Sequence, residues 1–344
     1  MRHNWAPVDA LIAVGAGSLA LGGSISCAFL WRHFLSTFKL KPQKLEGKGV
    51  VVTGCDSGIG RATVEHLSKQ WPQLVVFAGC LTKEGAARLS DEAALEGRDN
   101  LITFVVDVTD ESSVANATKL VSSNLGGANL HAVINNAGIY DGFYSELTPL
   151  RSFKRVMDVN FFGAVSVSKA FLPMLVRSGG RLINVGSVAS IFSTPSNATY
   201  AASKHALRAF SEALRSEVGY QGVEVIQIFA SAVQTDALAN ITRSYVKLAM
   251  EADPEIVSRY GGTDHAKSFA ALMKDYLKGA CEASVIAKCI ERTLMSAFPK
   301  AVYYAGPGSR VTIPFSMTPT FFKDAFFGNP VKSVDKVVVV KEES

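Results

Sequence analysis

Residues 50–60 read Val-Val-Val-Thr-Gly-Cys-Asp-Ser-Gly-Ile-Gly, and the reading of this stretch decides the fold. Val50 to Thr53 is a continuous β-branched run of the kind buried on both faces of a parallel sheet. Gly54, Gly58 and Gly60 follow with the spacing G-x-x-x-G-x-G, and Arg61 to Gln70 reads as a helix. Glycines at such a turn let the backbone approach a pyrophosphate, and the helix start offers N–H groups and partial positive charge. Gly54, Asp56, Ser57, Gly58, Ile59 and Gly60 are therefore candidate cofactor-binding residues. A plain strand-to-helix turn could carry the same letters, so the flanking pattern must support the reading.

That pattern repeats along the chain. Leu74 to Gly79, Leu101 to Val108, Ala132 to Ile134, Arg181 to Ser187 and Val223 to Phe229 read as further strands, with Ala301 to Tyr304 as a seventh candidate. Helical stretches at 83–96, 112–125, 151–177 and 200–220 separate them. Apolar strands alternating with helices predict a Rossmann-type, doubly wound parallel α/β sheet in a single domain. Residues 46–305 form that domain, after a hydrophobic helix and basic linker at 1–45 and before an extension at 306–344. Residues 236–295 read as helical with a break near Gly261-Gly262. The phenylalanines of the extension, Phe315, Phe321, Phe322, Phe326 and Phe327, suit a core, a pocket lid or a membrane contact.

Tyr200 and Lys204 stand four apart in a predicted helix and so share a face. A free tyrosine has a pKa of roughly 10, and a neighbouring ammonium favours its phenolate, which lets it exchange a proton with an alcohol or carbonyl oxygen. Ser187, ending the fifth strand, offers a hydroxyl to hold the substrate oxygen, and Asn160 in the long helix could orient a water that relays protons to Lys204. A bare Y-x-x-x-K is most often a packed ring beside a solvated charge. Here it stands in order with the glycine loop, Asn135-Asn136-Ala137-Gly138, Asn160 and Ser187.

With TGCDSGIG at 53–60, DVT at 107–109, NNAG at 135–138, Asn160, Ser187 and YAASK at 200–204, the chain resembles the short-chain dehydrogenase/reductase family over roughly residues 46–305. The resemblance implies that Asn160, Ser187, Tyr200 and Lys204 form a catalytic tetrad. It also implies that Tyr200 and Lys204 contact a nicotinamide ribose, and that Asn136, Ala137 and Gly138 belong to the cofactor site. VFAGCLT at 76–82, VNFFGAVSVSKAFLPML at 159–175 and GRLINVGS at 180–187 are similar to the branch that holds retinol dehydrogenases, type 2 17β-hydroxysteroid dehydrogenase and D-β-hydroxybutyrate dehydrogenase. One departure stands out. The family's Pro-Gly after the sixth strand is Ala230-Ser231 here, while Thr235, which the resemblance places on the nicotinamide carboxamide, is kept.

The cofactor choice turns on the end of the second strand, where a carboxylate would read the ribose 2′-hydroxyl and select NAD. Phe77-Ala78-Gly79-Cys80 carries neither a carboxylate nor an arginine, and Asp56 inside the glycine loop can supply the carboxylate. NAD is expected, with NADP as the alternative and Lys83 or Arg61 as the cation that a 2′-phosphate would then meet. Asp107 stands where the adenine amine would lie, or else serves as a turn residue.

Composition narrows the class. Hydrophobic residues make up 48% and charged residues 19%, which excludes a disordered or collagenous chain. The net charge of +5 implies no nucleic-acid partner. The five cysteines, Cys27, Cys55, Cys80, Cys281 and Cys289, match no metal or CxxC spacing, so no metal is expected and the thiols read as reduced. A homo-oligomer is expected.

Residues 10–31 carry no charged side chain, between Trp5 and Trp31. As a helix they extend about 33 Å, against a hydrocarbon core of roughly 30 Å. Arg32, Lys39, Lys41, Lys44 and Lys48 follow, against Arg2 before, which favours a cytoplasmic downstream domain. A retained anchor in the endoplasmic reticulum membrane with the catalytic domain in the cytosol fits best. A cleaved signal peptide has its basic flank on the wrong side, and a mitochondrial presequence, the alternative location, would be richer in arginine. Asn116, Asn197 and Asn240 open N-x-[ST] triplets, and a glycan on Asn197 would crowd Tyr200, which disfavours a lumenal domain.

Three functions follow. The first is a dehydrogenase for a lipophilic, retinoid- or steroid-like alcohol. The second is a mitochondrial D-3-hydroxybutyrate dehydrogenase, with Arg243, Lys247 and Arg259 as candidate carboxylate partners. The third is a catalytically silent nucleotide-binding scaffold, which the intact tetrad argues against. The membrane reading has its own test. Alkaline carbonate extraction of microsomes should leave the protein in the membrane pellet, and protease should digest the catalytic domain without detergent. A protected domain, or a cleaved soluble form in the mitochondrial matrix, would reject this topology.

Overall fold

A computed structural model describes residues 42–310 and 312–327; the expected anchor at 10–31 lies outside the described residues. β1 (Lys48–Thr53), β2 (Val75–Cys80), β3 (Leu101–Val105), β4 (Asn129–Asn135), β5 (Arg181–Ser187), β6 (Glu224–Ala230) and β7 (Val302–Ala305) form one sheet in the order β3-β2-β1-β4-β5-β6-β7. Every pairing is parallel. The strand order reverses between β1 and β4, so the crevice outside their carboxyl ends is where a doubly wound sheet takes its ligand.

Alternation along each strand supplies two cores. Val50, Val52, Ile134 and Ile183 face one layer, made by α1 (Gly58–Gln70), α2 (Lys83–Leu95) and a later helix. Val51, Phe77, Val133 and Leu182 face the other, made by α3 (Glu111–Asn124), α4 (Leu150–Ser178) and α5 (Ala198–Val218). α4 is long and apolar enough to cross a membrane, but here it is a core helix. Its Val167, Phe171 and Leu175 are buried against the sheet.

The predicted helical region resolves into α6 (Asp236–Glu251), α7 (Pro254–Arg259), α8 (Gly262–Leu277) and α9 (Ala283–Met295). The break at Gly261-Gly262 is observed, with both glycines at positive φ. α9 returns to the first core through Ile286, Ile290 and Leu294. α6 to α8 instead build a third cluster with Phe143, Tyr144 and Leu147, in which Tyr245, Leu248 and Phe269 are buried.

Two expectations need correction. β3 stops at Val105, not Val108, because Asp107 turns the chain: its Oδ1 accepts from Thr109 N and Thr109 Oγ1. The predicted helix 151–177 is interrupted by a π-helical segment, Asp158–Gly163, which holds Asn160. Leu45 is fully buried and Gln43 N bonds Met295 O, so the packed unit begins a few residues before 46. Its other end continues past 305 to buried Ser309 and to α10 (Thr312–Met317), and α11 (Thr320–Phe327) follows. There Phe315 meets Phe192 edge-to-face at 5.4 Å, while Phe321 and Phe322 are exposed.

Candidate active site

The glycine loop is latched to β4. Thr53 Oγ1 accepts from the backbone N–H groups of Asn136 and Ala137, both at 3.1 Å, and Asn136 Nδ2 donates to Thr53 O and Gly54 O. Gly54 (φ +73°) and Gly58 (φ +61°) occupy backbone conformations that favour glycine. A Cβ on Gly54 would lie 2.8 Å from Ala137 Cα, one on Gly60 would overlap the Gly54 carbonyl, and one on Gly58 would lie 2.9 Å from Thr235 Cγ2. Without side chains the loop packs tightly against Ala137 and Thr235 at the start of α1. Its first N–H groups receive no bond from the Ser57 side chain at the N-cap.

Asp56 reaches the expected end of β2 from within the loop. Its carboxylate accepts from Leu81 N (2.7 Å), Thr82 N (3.1 Å) and Thr82 Oγ1 (2.7 Å). Asp56 thus places a carboxylate beside the end of β2, bonded to Leu81 and Thr82. A cation beyond Lys83 and Arg61 also stands at this corner. Arg88 Nη2 donates to Asp56 O at 2.9 Å, and both Arg88 and Arg61 act electrostatically on Cys80. Arg61 is engaged by Glu65 and Glu92, and Lys83 is exposed on α2. Arg88 is therefore the cation that sequence reasoning missed, eight residues past β2.

Cys80 lies beneath this corner, where burial and then Asp56 push its thiol up to about 12. Cys55 is also raised well above its usual value, again by burial first. The four described cysteines, Cys55, Cys80, Cys281 and Cys289, are free and buried.

At the reacting end, α5 carries Tyr200 and Lys204 on one face. Lys204 Nζ donates to Val185 O at 3.0 Å and lies 5.6 Å from the centre of the Tyr200 ring. Burial alone lowers the lysine to about 8. The Tyr200 phenol is raised by burial, and a hydrogen bond with Ser187 opposes the rise. The Ser187 hydrogen bond thus acts on the phenol together with Lys204, whose Nζ lies over the same ring. The Ser187 hydroxyl also accepts from Ala189 N, which fixes it at the β5 end.

Asn160 does not reach into the cavity with these three. Its Oδ1 accepts from Ile139 N at 2.8 Å, and its Nδ2 donates to Ile139 O and to Ser203 Oγ, both at 3.0 Å. The side-chain amide is spent on bracing the segment following NNAG against α5, so any relay to Lys204 has to use other atoms than its N–H groups. Ser203 Oγ in turn donates to Tyr200 O.

The altered Ala230-Ser231 segment is tied down by backbone bonds. Ser231 N donates to Ala305 O, Cys281 N to Ala232 O and Gln234 N to Cys281 O, each within 2.9–3.1 Å. An isolated bridge joins Val233 to Cys281. This pairing replaces the rigidity that a proline would have given.

One cavity of about 1770 Å³ joins these parts. Gly54, Asp56, Ser57, Gly58, Ile59, Asp107, Asn136, Ala137 and Gly138 line one arm; Ser187, Tyr200, Lys204 and Thr235 line its middle. Of the predicted site residues only Gly60 and Asn160 stand behind the wall. The other arm is apolar, walled by Phe192, Phe269, Leu272, Met273, Leu277 and Phe315. Arg243 and Lys247 line a separate surface groove between α6 and α8, and Arg259 pairs with Glu146, so none of the three reaches the cavity. Arg155, which does line it, is paired with Asp141 at 2.9 Å.

Sequence reasoning also missed Tyr140 and Tyr245, whose rings approach the site from different elements. Their separation of 105 residues leaves no spacing rule to find them.

Comparison with known proteins agrees with this geometry. The family model for short chain dehydrogenase matches residues 48–245. Retinol dehydrogenase 16 of Homo sapiens is 33% identical over 291 residues, covering 82% of this chain and 88% of the relative. Estradiol 17-beta-dehydrogenase 2 of Rattus norvegicus is 38% identical over 221 residues, 63% of this chain and 56% of that protein. In structure, a short chain dehydrogenase/reductase from Burkholderia phymatum in complex with NAD superposes with a TM-score of 0.63 at 22% identity, covering 75% of this chain and 89% of that one. With the glycine loop, the NNAG latch and the Ser187–Tyr200–Lys204 geometry in one cavity, the chain belongs to the short-chain dehydrogenase/reductase family of oxidoreductases, in a branch resembling the retinol and steroid dehydrogenases.

Proposed function

We propose that this protein oxidises a lipophilic, retinoid- or steroid-like alcohol with NAD. The observation that carries this reading is the single cavity with Ser187 and Tyr200 at its middle and an apolar far arm. A carboxylate-bearing substrate such as 3-hydroxybutyrate finds no support there, because Arg243, Lys247 and Arg259 lie outside it. An anchor at 10–31 belongs with a substrate that dissolves in the membrane.

The loop at Gly54, Gly58 and Gly60 fits a pyrophosphate, since its glycines let the turn pack against Ala137 and Thr235 and leave the first N–H groups of α1 without a bond from the Ser57 side chain. Bound there, a nicotinamide cofactor supplies the hydride acceptor. The chain's own residues do the rest. Ser187 and Tyr200 hold the alcohol oxygen between their hydroxyls, and Tyr200 takes its proton as hydride leaves the carbon. The Ser187 hydrogen bond favours the phenolate that this transfer needs. Lys204, protonated below about 8, offers positive charge under the ring and is the candidate to hold the ribose. Apolar walls exclude water from the reacting carbon.

Purified protein should turn over all-trans-retinol or estradiol with NAD. Tyr200→Phe should abolish turnover with cofactor binding nearly intact, and Lys204→Met should lose both. A Tyr200→Phe variant that retains more than about a tenth of the rate, a loss of under roughly 1.4 kcal/mol, would overturn the acid–base role.

The pH dependence has a definite sign. Ser187 lowers the Tyr200 pKa, so its removal raises it. Oxidation needs the deprotonated phenol, so its rate should climb with pH, and Ser187→Ala should move that climb to higher pH. An unmoved or downward-shifted profile counts against the hydrogen bond.

Cofactor choice is set between Asp56 and Arg88. The Asp56 carboxylate repels a 2′-phosphate, so NADH should bind more tightly than NADPH, and Asp56→Asn should narrow the gap. Tighter NADPH binding, abolished by Arg88→Ala, would reverse the assignment.

A further inference from the structure

The geometry points to Tyr140 and Tyr245 as positioning residues that hold the turn before α5 and thereby aim Tyr200, an inference that rests on the acid–base reading of Tyr200.

The turn is Thr194-Pro195-Ser196-Asn197. Asn197 N donates to Thr194 O at 3.3 Å, Pro195 takes the second place, and Ser196 the third with φ +64°. This is the pattern of a type II turn, whose third place favours glycine. Among the described residues Ser196 is the sole non-glycine with positive φ. A serine there is strained, and such strain persists only where the surroundings hold it.

Two phenols do the holding. Tyr140, just beyond NNAG, donates its hydroxyl hydrogen to Ser196 O at 2.7 Å. Tyr245, on α6, places its hydroxyl 3.3 Å from that of Tyr140 and also bonds Ser196. The Tyr140 ring lies 5.7 Å from the Tyr200 ring, tilted by 43°, and meets the Tyr245 ring nearly edge-on at 6.3 Å. Asn197 caps α5, and Tyr200 is the third residue of that helix. The turn therefore sets how Tyr200 enters the cavity, and the Tyr140 ring limits its tilt. Tyr245 stands in the same buried cluster as Phe269, a residue of the apolar wall, so the clamp joins that wall to the reacting tyrosine.

Neither phenol has to touch the reacting atoms, and this separates a positioning role from a substrate contact. Tyr140→Phe removes one hydroxyl and keeps the ring. With all-trans-retinol or estradiol and NAD, kcat should fall about ten- to a hundredfold, the scale of a misplaced group, with KM and NADH affinity unchanged. Adding Ser196→Gly makes positive φ cost-free, so the Tyr140→Phe/Ser196→Gly double variant should recover most of that kcat. A rise in KM alone would make Tyr140 a substrate contact. Failure of glycine to restore kcat would sever the link to the turn. Either result overturns the proposal.

A second readout needs no turnover. In protein labelled with [13Cζ]tyrosine, the Tyr200 signal, assigned by its loss in Tyr200→Phe, should shift or broaden in Tyr140→Phe and return in the double variant. A Tyr200 signal unmoved by Tyr140→Phe would overturn the clamp. A wild-type protein inert toward both alcohols would count against the dehydrogenase reading, and the tyrosine signal would still decide the clamp.

Discussion

Everything at the active end hangs on the latch between Thr53 and Asn136. β1 and β4 are neighbours at the point where the strand order reverses, and their carboxyl ends must part to open a crevice. Parted strands leave backbone groups without ladder partners, and buried ones are costly unless bonded. One threonine hydroxyl and one asparagine amide meet that need, taking two N–H groups and two carbonyls between them. The crevice therefore opens to a fixed width, and Gly54 can lie against the Ala137 backbone only because it has no side chain.

From the latch outward, each site residue is fixed by a neighbour that is itself fixed. Ile139 follows the latched strand end and is gripped on both its N–H and its carbonyl by Asn160. The same amide reaches Ser203, and Ser203 reaches Tyr200 O. A π-helical segment at 158–163 carries Asn160 here, a form that recurs at functional positions in helices. Deeper in, Asn135 Nδ2 donates to Asn184 Oδ1 and Ser168 Oγ, and Asn184 Nδ2 donates to Ser211 Oγ, so β4, β5, α4 and α5 share one buried polar chain. Such chains specify a unique packing because any shift strands a buried donor.

Much of this was legible because its causes are local. Val50-Val51-Val52 had to be a strand buried on both sides, and Gly54, Gly58 and Gly60 had to permit a close approach. Tyr200 and Lys204 had to share a helical face. The strand count and most element boundaries followed to within two or three residues. What escaped depends on tertiary neighbours. Asp107 ended β3 early because Thr109 offered it two donors, a local signal that the apolar run 101–108 masked. Asn160 was assigned a water, yet its amide was taken by Ile139, 21 residues away. Arg88 and the Tyr140–Tyr245 pair come from elements that meet only in the folded chain.

Burial of the reacting groups explains why the protein needs both an apolar cavity and a tight polar frame. Taking Lys204 into the interior lowers its pKa, and taking Tyr200 inside raises its own. Each shift opposes the charged pair that proton exchange uses. At Tyr200 a hydrogen bond from Ser187 opposes the shift, and Lys204 Nζ is held in place by its bond to Val185 O. A loose frame would let these bonds lengthen, and burial would then hold both groups neutral. The cavity supplies the dry surroundings that a lipophilic alcohol and a hydride require, and the frame of latch, Asn160 brace and phenol clamp keeps proton exchange possible within them.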